Sequence, residues 1–276
     1  MPEGGSGTFS QNQWTKARAG LILVAMEPPA LAWDRVVKRY GAVAAVDGVS
    51  LAVASGSFVA LVGTSGSGKS TLLKMANRLI DPDEGRVLLD GRDVTGEPAP
   101  TLRRRIGYVF QHIGLFPHLD VARNIAIGPR VAGRPTPDIH RLLDLVELPR
   151  ELAGRMPAEL SGGQRQRVGI ARALAQDTKL LLMDEAFGAL DPVTRDALGR
   201  RLRALHDELA LTTILVTHDM AEALLLATRV VVMRAGRIVA DETPAALMAG
   251  GGGDAAQALV AVPRAQAEQL AAMAHR

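Results

Sequence analysis

Apolar residues recur along this chain in short unbroken runs, with stretches of helical spacing between them. Phe58–Val62, Leu180–Met183, Thr213–Val216 and Val230–Met233 each gather four or five residues that are nearly all apolar. Runs of that length and density are expected of strands buried on both faces of a parallel sheet. After the first run, Leu72, Leu73, Ala76, Leu79 and Ile80 fall at helical intervals. Helical stretches separate the later runs as well, and this alternation predicts an α/β fold built on a parallel sheet.

Upstream, Val36-Val37 and the alternating Val49–Val53 predict antiparallel strands with a turn at Asp47-Gly48. Asp81–Gly85 carries turn chemistry that ends the first helix, and Arg86–Leu89 resumes a strand. From about Pro117 to Leu160 the pattern is helical and prolines are frequent. That composition predicts a separate helical lobe, about residues 115–175. Residues 1–30 lack a sustained period and read as a flexible extension. Residues 31–250 then form the main domain, and 251–276 a short Ala-rich tail after four glycines.

Composition narrows the function. The chain has 276 residues, a net charge of +3 and no cysteine, which removes disulfides and thiolate metal sites and fits a reducing cytosol. No apolar stretch approaches the ~20 residues that cross a bilayer. Only 3% of residues are aromatic, too few for base-stacking platforms, and the densest basic run is Arg103-Arg104-Arg105. That run reads as a solvated or partner-facing helix edge, and no nucleic-acid partner is expected.

The sharpest chemical signal is Gly63-Thr64-Ser65-Gly66-Ser67-Gly68-Lys69-Ser70, followed by Thr71. It fits the phosphate-binding pattern G-x-x-x-x-G-K-[ST]. Glycine lets the backbone approach a triphosphate closely, and the following helix aims its unpaired N–H groups at the charge. Lys69 is placed to reach the terminal phosphates and Ser70 to hold Mg²⁺. The expected ligands are ATP and Mg²⁺. Strand, glycine loop, helix is the order this loop requires.

Three further segments extend the site. Leu180–Met183 ends in Asp184-Glu185. Asp184 lies where open α/β sheets bind ligands and suits Mg²⁺, while Glu185 suits polarisation of an attacking water. His218 follows another predicted strand at the same sheet edge and is a candidate donor to the γ-phosphate. In Leu160-Ser161-Gly162-Gly163-Gln164, Ser161 and Gln164 form an S-x-x-Q capping box that opens a helix. A cap needs no glycine pair. Bare N–H groups at a helix start suggest a second phosphate-seeking element, one that completes the nucleotide of another molecule.

Together these motifs resemble the ATP-binding subunit of ABC transporters, over about Trp33 to Leu247. The resemblance implies a P-loop NTPase with a RecA-like parallel-sheet core, an antiparallel β subdomain and a helical subdomain. It implies two cassettes, here a homodimer, with each ATP between one P-loop and the partner's Ser161–Gln164 segment. By the same resemblance Tyr40 stacks on adenine, Gln111 contacts Mg²⁺ and the attacking water, and Asp191 lies at the dimer seam. One departure is Ala186, where many members have proline.

Leu73–Ile80 and Gln111–His118 further resemble importers of quaternary-amine osmoprotectants such as glycine betaine, choline and proline betaine. Another small solute, such as an amino acid or a sulfonate, stays open, as does a soluble ABC ATPase outside transport. The implied partners are a second ATPase subunit, integral membrane permease subunits and, indirectly, a substrate-binding protein, at the cytoplasmic face of the membrane. The chain stops short of the C-terminal regulatory domain that many such subunits carry, so none is expected.

Overall fold

The computed structural model describes residues 28–111, 113–188 and 190–274. The expected N-terminal extension lies outside the described residues but for its last three. The strands are β1 (Leu31–Tyr40), β2 (Val43–Val53), β3 (Phe58–Val62), β4 (Glu84–Leu89), β5 (Arg92–Asp93), β6 (Ile106–Val109), β7 (Leu180–Asp184), β8 (Thr212–Thr217), β9 (Arg229–Arg234) and β10 (Arg237–Glu242). The helices are α1 (Lys69–Ala76), α2 (Ala99–Arg103), α3 (Val121–Val131), α4 (Ile139–Leu145), α5 (Gly162–Leu174), α6 (Pro192–Glu208), α7 (Met220–Leu226), α8 (Pro244–Met248) and α9 (Gly253–Ala274).

Two sheets organise them. A six-stranded sheet runs β10-β9-β3-β8-β7-β6, parallel except for the β9–β10 hairpin, and a four-stranded antiparallel sheet runs β2-β1-β4-β5. The central strands are buried on both faces, so their alternate side chains feed two cores. Phe58, Ala60 and Val62 of β3, with Leu181 and Met183 of β7, pack among the helices from α3 onward. Val59 and Leu61, with Leu180 and Leu182, pack with α1 and the antiparallel sheet. The continuous apolar runs in the sequence are this double-sided burial.

The structure corrects one expectation. Asp47-Gly48 is not the turn between the first strands; β2 runs through it, and the chain reverses at Gly41-Ala42. Val36 pairs with Val49 and Lys38 with Val46, so β2 carries an extra residue there. This is a β-bulge, with Gly48 at φ +64° supplying the left-handed backbone. Its location has a purpose in the packing. The Asp47 N–H donates to Gly236 O at 2.9 Å, and Arg237 donates to the Asp47 carboxylate at 2.7 Å, which docks the bulge on the β9–β10 hairpin.

Helices α3, α4 and α5 occupy the stretch where a helical lobe was expected, and α5 packs on α3, α4 and β6. Helix α9 begins at Gly253, the last of the four glycines, and buries Ala256 and Val260 among residues of α7, α8 and β10. Its later residues Leu270 and Met273 are exposed. Among the described residues no helix is long and apolar enough to cross a membrane.

Arg229 ties the two sheets together. Its guanidinium donates twice to Asp241 at 2.5 Å and once to Ala52 O at 2.7 Å, both partly buried. Substituting Arg229→Met strands the Asp241 charge and the Ala52 carbonyl, at a cost of about 1–3 kcal/mol. Urea denaturation checks this, with the exposed Arg200→Met as a control that changes stability by less than about 0.5 kcal/mol.

Candidate nucleotide site

Strand register assembles the site. Val62 pairs with Thr217, Val216 with Asp184, and Met183 with Val109. The segments that follow β3, β8, β7 and β6 therefore leave the sheet at one level, side by side. They are the Gly63–Ser70 loop, His218, Glu185 and Gln111.

The loop is held by its surroundings. A methyl on Gly68 (φ +101°) would lie 2.2 Å from Ala45 O, and one on Gly63 would lie 2.2 Å from Met233 O. Side chains are excluded at both positions because β2 and the end of β9 press against the loop. Gly236 N donates to Ser67 O at 3.1 Å, and Ser67 N to Thr64 O at 3.2 Å. Thr64, Ser65 and Gly66 face solvent, and Thr71 is half-buried on α1. Lys69 is buried, with Nζ donating to Gly63 O at 2.8 Å, Thr64 O at 2.9 Å and Ser67 Oγ at 3.3 Å. Burial pulls its pKa below the usual lysine value, against the raising influence of Glu185 and Asp184.

Ser70 Oγ donates to Asp184 Oδ1 at 2.6 Å. Asp184 is 1% exposed, and its other oxygen faces Tyr108 OH at 3.4 Å and Lys74 Nζ at 3.9 Å. Burial, and secondarily the Asp184 charge, push the Tyr108 phenol well above its ordinary pKa, so it stays a neutral donor. A hydroxyl beside a carboxylate is a hard-oxygen donor pair of the type that holds Mg²⁺ together with phosphate oxygens. Ser70 and Asp184 therefore fit that ion, and Gln111 sits one carboxylate away: its Nε2 donates to Glu185 Oε2 at 3.0 Å.

Glu185 occupies the left-handed region at φ +47°. A non-glycine residue there stores roughly 1–3 kcal/mol and persists only where neighbours dictate it. Here its N–H donates to Val216 O at 3.0 Å, its carbonyl accepts from Gly188 N at 3.2 Å, and Gln111 holds the carboxylate. His218 Nδ1 lies 3.8 Å from the same carboxylate oxygen, with its side chain largely exposed.

Other sequence candidates lie apart. Ser161 and Gln164 form the expected capping box, Gln164 N donating to Ser161 Oγ at 3.2 Å and Ser161 N to Gln164 Oε1 at 2.8 Å. Gly162 and Gly163 open α5 beside them. A methyl on Gly163 would lie 3.1 Å from the tip of the Leu190 side chain, so Leu190 packs closely over this glycine. Helix α5 packs on the lobe and β6, so the structure does not bring Ser161–Gln164 to the loop of the same chain. Asp191 caps α6 by accepting from Thr194 N at 3.0 Å, and hydrogen bonds from the Thr194 side chain and then its backbone hold the carboxyl below the usual range. Tyr40 is exposed at the end of β1, beside Val43, one residue from the β2 stretch whose Ala45 carbonyl meets Gly68.

Sequence reasoning missed Tyr108 and Lys74 as neighbours of Asp184. The Tyr108 ring lies 4.5 Å from that of the exposed Phe110 just past β6, and only the register with β7 reveals its hydroxyl's target.

A family model described as ABC transporter matches residues 46–188. The chain is 46% identical over 216 residues to the glycine betaine/carnitine/choline transport ATP-binding protein OpuCA of Bacillus subtilis, covering 76% of this chain and 57% of that one. It is 50% identical over 204 residues to the sulfate/thiosulfate import ATP-binding protein CysA of Mycobacterium tuberculosis, covering 73% and 58%. Among solved structures it is similar to the dimeric bacterial ABC transporter cassette MJ0796, with a TM-score of 0.72 and 32% identity over 78% of this chain and 98% of that one. The chain belongs to the ABC transporter family and has the ABC cassette fold. It spans 55% to 58% of the length of the carnitine, choline and glycine betaine transport ATP-binding proteins of Listeria monocytogenes and Bacillus subtilis that it matches.

The strain at Glu185 is open to measurement. Glu185→Gly is expected to raise unfolding stability by about 1 kcal/mol, because glycine adopts this backbone freely. A thermal unfolding series with Glu185→Ala, which keeps the strain and loses the carboxylate, isolates the backbone contribution.

Proposed function

We propose that this chain is the ATP-hydrolysing subunit of an ABC importer, working as a homodimer on the cytoplasmic face of a membrane permease. The observation that carries the reading is the level array at the sheet edge, where loop, Ser70–Asp184 pair, Glu185, Gln111 and His218 converge. Each nucleotide would lie on the Gly63–Thr71 loop with its base against Tyr40. Ser161–Gln164 of a second copy would close over the γ-phosphate, with Asp191 at the seam. The separation of Ser161–Gln164 from the loop of its own chain supports this arrangement.

The chemistry follows from the side chains. Lys69 exchanges loop carbonyls for phosphate oxygens and stabilises charge as it builds on them. Ser70, Asp184 and Gln111 would hold Mg²⁺, which when bound neutralises phosphate charge and supports the leaving group. Glu185, fixed by Gln111 and its own strained backbone, orients a water for in-line attack and accepts its proton. The bond to the γ-phosphorus breaks, giving ADP and inorganic phosphate, and His218 donates to the γ-phosphate oxygens as charge develops.

Coupling to a permease is best supported at residues 113–120. This irregular segment is braced rigidly: buried Asn124 bonds Phe116 N at 2.8 Å, Phe116 O at 3.1 Å and Leu119 O at 2.8 Å, while Arg172 donates to Ile113 O at 2.7 Å and Gly114 O at 2.8 Å. It presents an exposed Phe116 just past Gln111. Movement at Gln111 would therefore reach the lobe surface.

We assign the solute to the quaternary amines. The support is the similarity to the glycine betaine/carnitine/choline protein together with Leu73–Ile80 and Gln111–His118. Sulfate or thiosulfate is the second reading, favoured by the comparable identity to the sulfate/thiosulfate import protein. Uptake of labelled betaine and labelled sulfate by cells with and without the gene separates the two.

Two variants test the enzyme itself. Lys69→Ala should lower phosphate release by at least about a hundredfold. Glu185→Gln should keep ATP affinity, lose turnover and sediment as a dimer with ATP and Mg²⁺; a monomer under those conditions rejects the shared-nucleotide arrangement.

A further inference from the structure

Asp184 has a second oxygen to which the mechanism above gives no task. Oδ1 accepts from Ser70 Oγ at 2.6 Å, while Oδ2 faces Tyr108 OH at 3.4 Å and Lys74 Nζ at 3.9 Å. The Asp184 side chain is 2% exposed, so protein groups and not bulk water must satisfy it.

Three elements bring these groups together. Ser70 and Lys74 stand four residues apart on α1, which places both on one face of that helix, a turn from each other. Tyr108 lies on β6 opposite Leu182 of β7, two residues short of Asp184. Its ring is 4.5 Å from that of Phe110, and its hydroxyl is directed at Oδ2. Among the described residues Asp184 is the ion-pair partner of the Lys74 ammonium.

The two neighbours of Oδ2 act differently. A neutral hydroxyl orients the carboxylate and leaves its charge whole. An ammonium at 3.9 Å is too far for a hydrogen bond and orients little, but its field reaches any cation held at Oδ1. The Lys74 side chain is 36% exposed, so solvent screens part of that field.

We propose that Tyr108 and Lys74 are positioning and tuning residues for the divalent ion: Tyr108 holds Oδ2 so that Oδ1 stays turned to Ser70, and the Lys74 charge lowers the affinity of Asp184 for the ion. This inference rests on the reading of Ser70 and Asp184 as the Mg²⁺ pair. A sealed carboxylate with its charge uncompensated would grip a dication tightly. Lys74 offsets part of that charge, which favours release of the ion with ADP once phosphate has left.

The test uses Mn²⁺, which shares the preference of Mg²⁺ for hard oxygen ligands, and reads its binding to the full chain with ADP by electron paramagnetic resonance. ADP gives no turnover, so the affinity is read apart from activity. Tyr108→Phe should weaken Mn²⁺ binding by at least about threefold. Lys74→Met should tighten it by at least about threefold, Lys74→Gln should do the same, and Lys74→Arg, which keeps the charge, should stay within about twofold of wild type. A lysine that served only as packing would not tighten the site when removed. Asp184→Asn should abolish the bound signal; a chain that holds Mn²⁺ equally well without this carboxylate overturns the Mg²⁺ pair and the proposal with it. Where Asp184→Asn loses the ion, Lys74→Met and Lys74→Gln binding no tighter than wild type, or Tyr108→Phe binding no weaker, overturns the proposal alone.

Discussion

The register of four adjacent parallel strands is the constraint on which everything else depends. Backbone hydrogen bonding fixes β6, β7, β8 and β3 so that Val109, Asp184, Thr217 and Val62 end within a residue of one another. Neighbouring strands sit about 4.8 Å apart, so the groups that follow them are spaced on the scale of a triphosphate and its ion. A slip by one residue in β7 would turn Asp184 and the whole strand to the opposite face. The double-sided burial of Leu180–Met183 prevents this, because either face is occupied by a filled core. Hydrophobic packing thus sets the geometry of the site.

The site concentrates unfavourable features that this rigid edge tolerates. Asp184 is a buried carboxylate, Lys69 a desolvated ammonium, and Glu185 a carboxylate on a left-handed backbone. Each is compensated locally: Ser70 and Tyr108 bond the first, three loop oxygens bond the second, and Val216 O with Gln111 fixes the third. These compensations use groups that phosphate, metal ion and water would also engage. Substrate binding on the proposed reading therefore exchanges one set of polar partners for another and needs no reshaping of the core.

Legibility in the sequence followed the range of the interactions. The central strands, the phosphate loop and the Ser161–Gln164 box are local patterns, and each is visible within about ten residues. Double-sided strands announce themselves as unbroken apolar runs, and a capping box needs only its own turn. The bulge at Asp47-Gly48 was misread as a turn because its cause lies in Gly236 and Arg237, nearly two hundred positions away. Arg195 was invisible for a similar reason: it lies in no phosphate-binding motif, and only α6 packing beside α7 brings it within 3.7 Å of Asp219. Gly163 was read as an anion site, and the close packing of Leu190 over it is a contact that no pattern displays.

The placement of α5 separates the two phosphate-seeking elements of the chain. The loop grows out of β3 in the centre of the sheet, while α5 is anchored to β6 at its edge and to the helical lobe. A helix so anchored cannot swing to its own loop without unpacking Val168, Ile170 and Ala171 from the core. Burial of that size holds against thermal motion, at roughly 1.5–3 kcal/mol for each large side chain. On the proposed reading the N–H groups that open α5 are therefore satisfied by another copy's nucleotide.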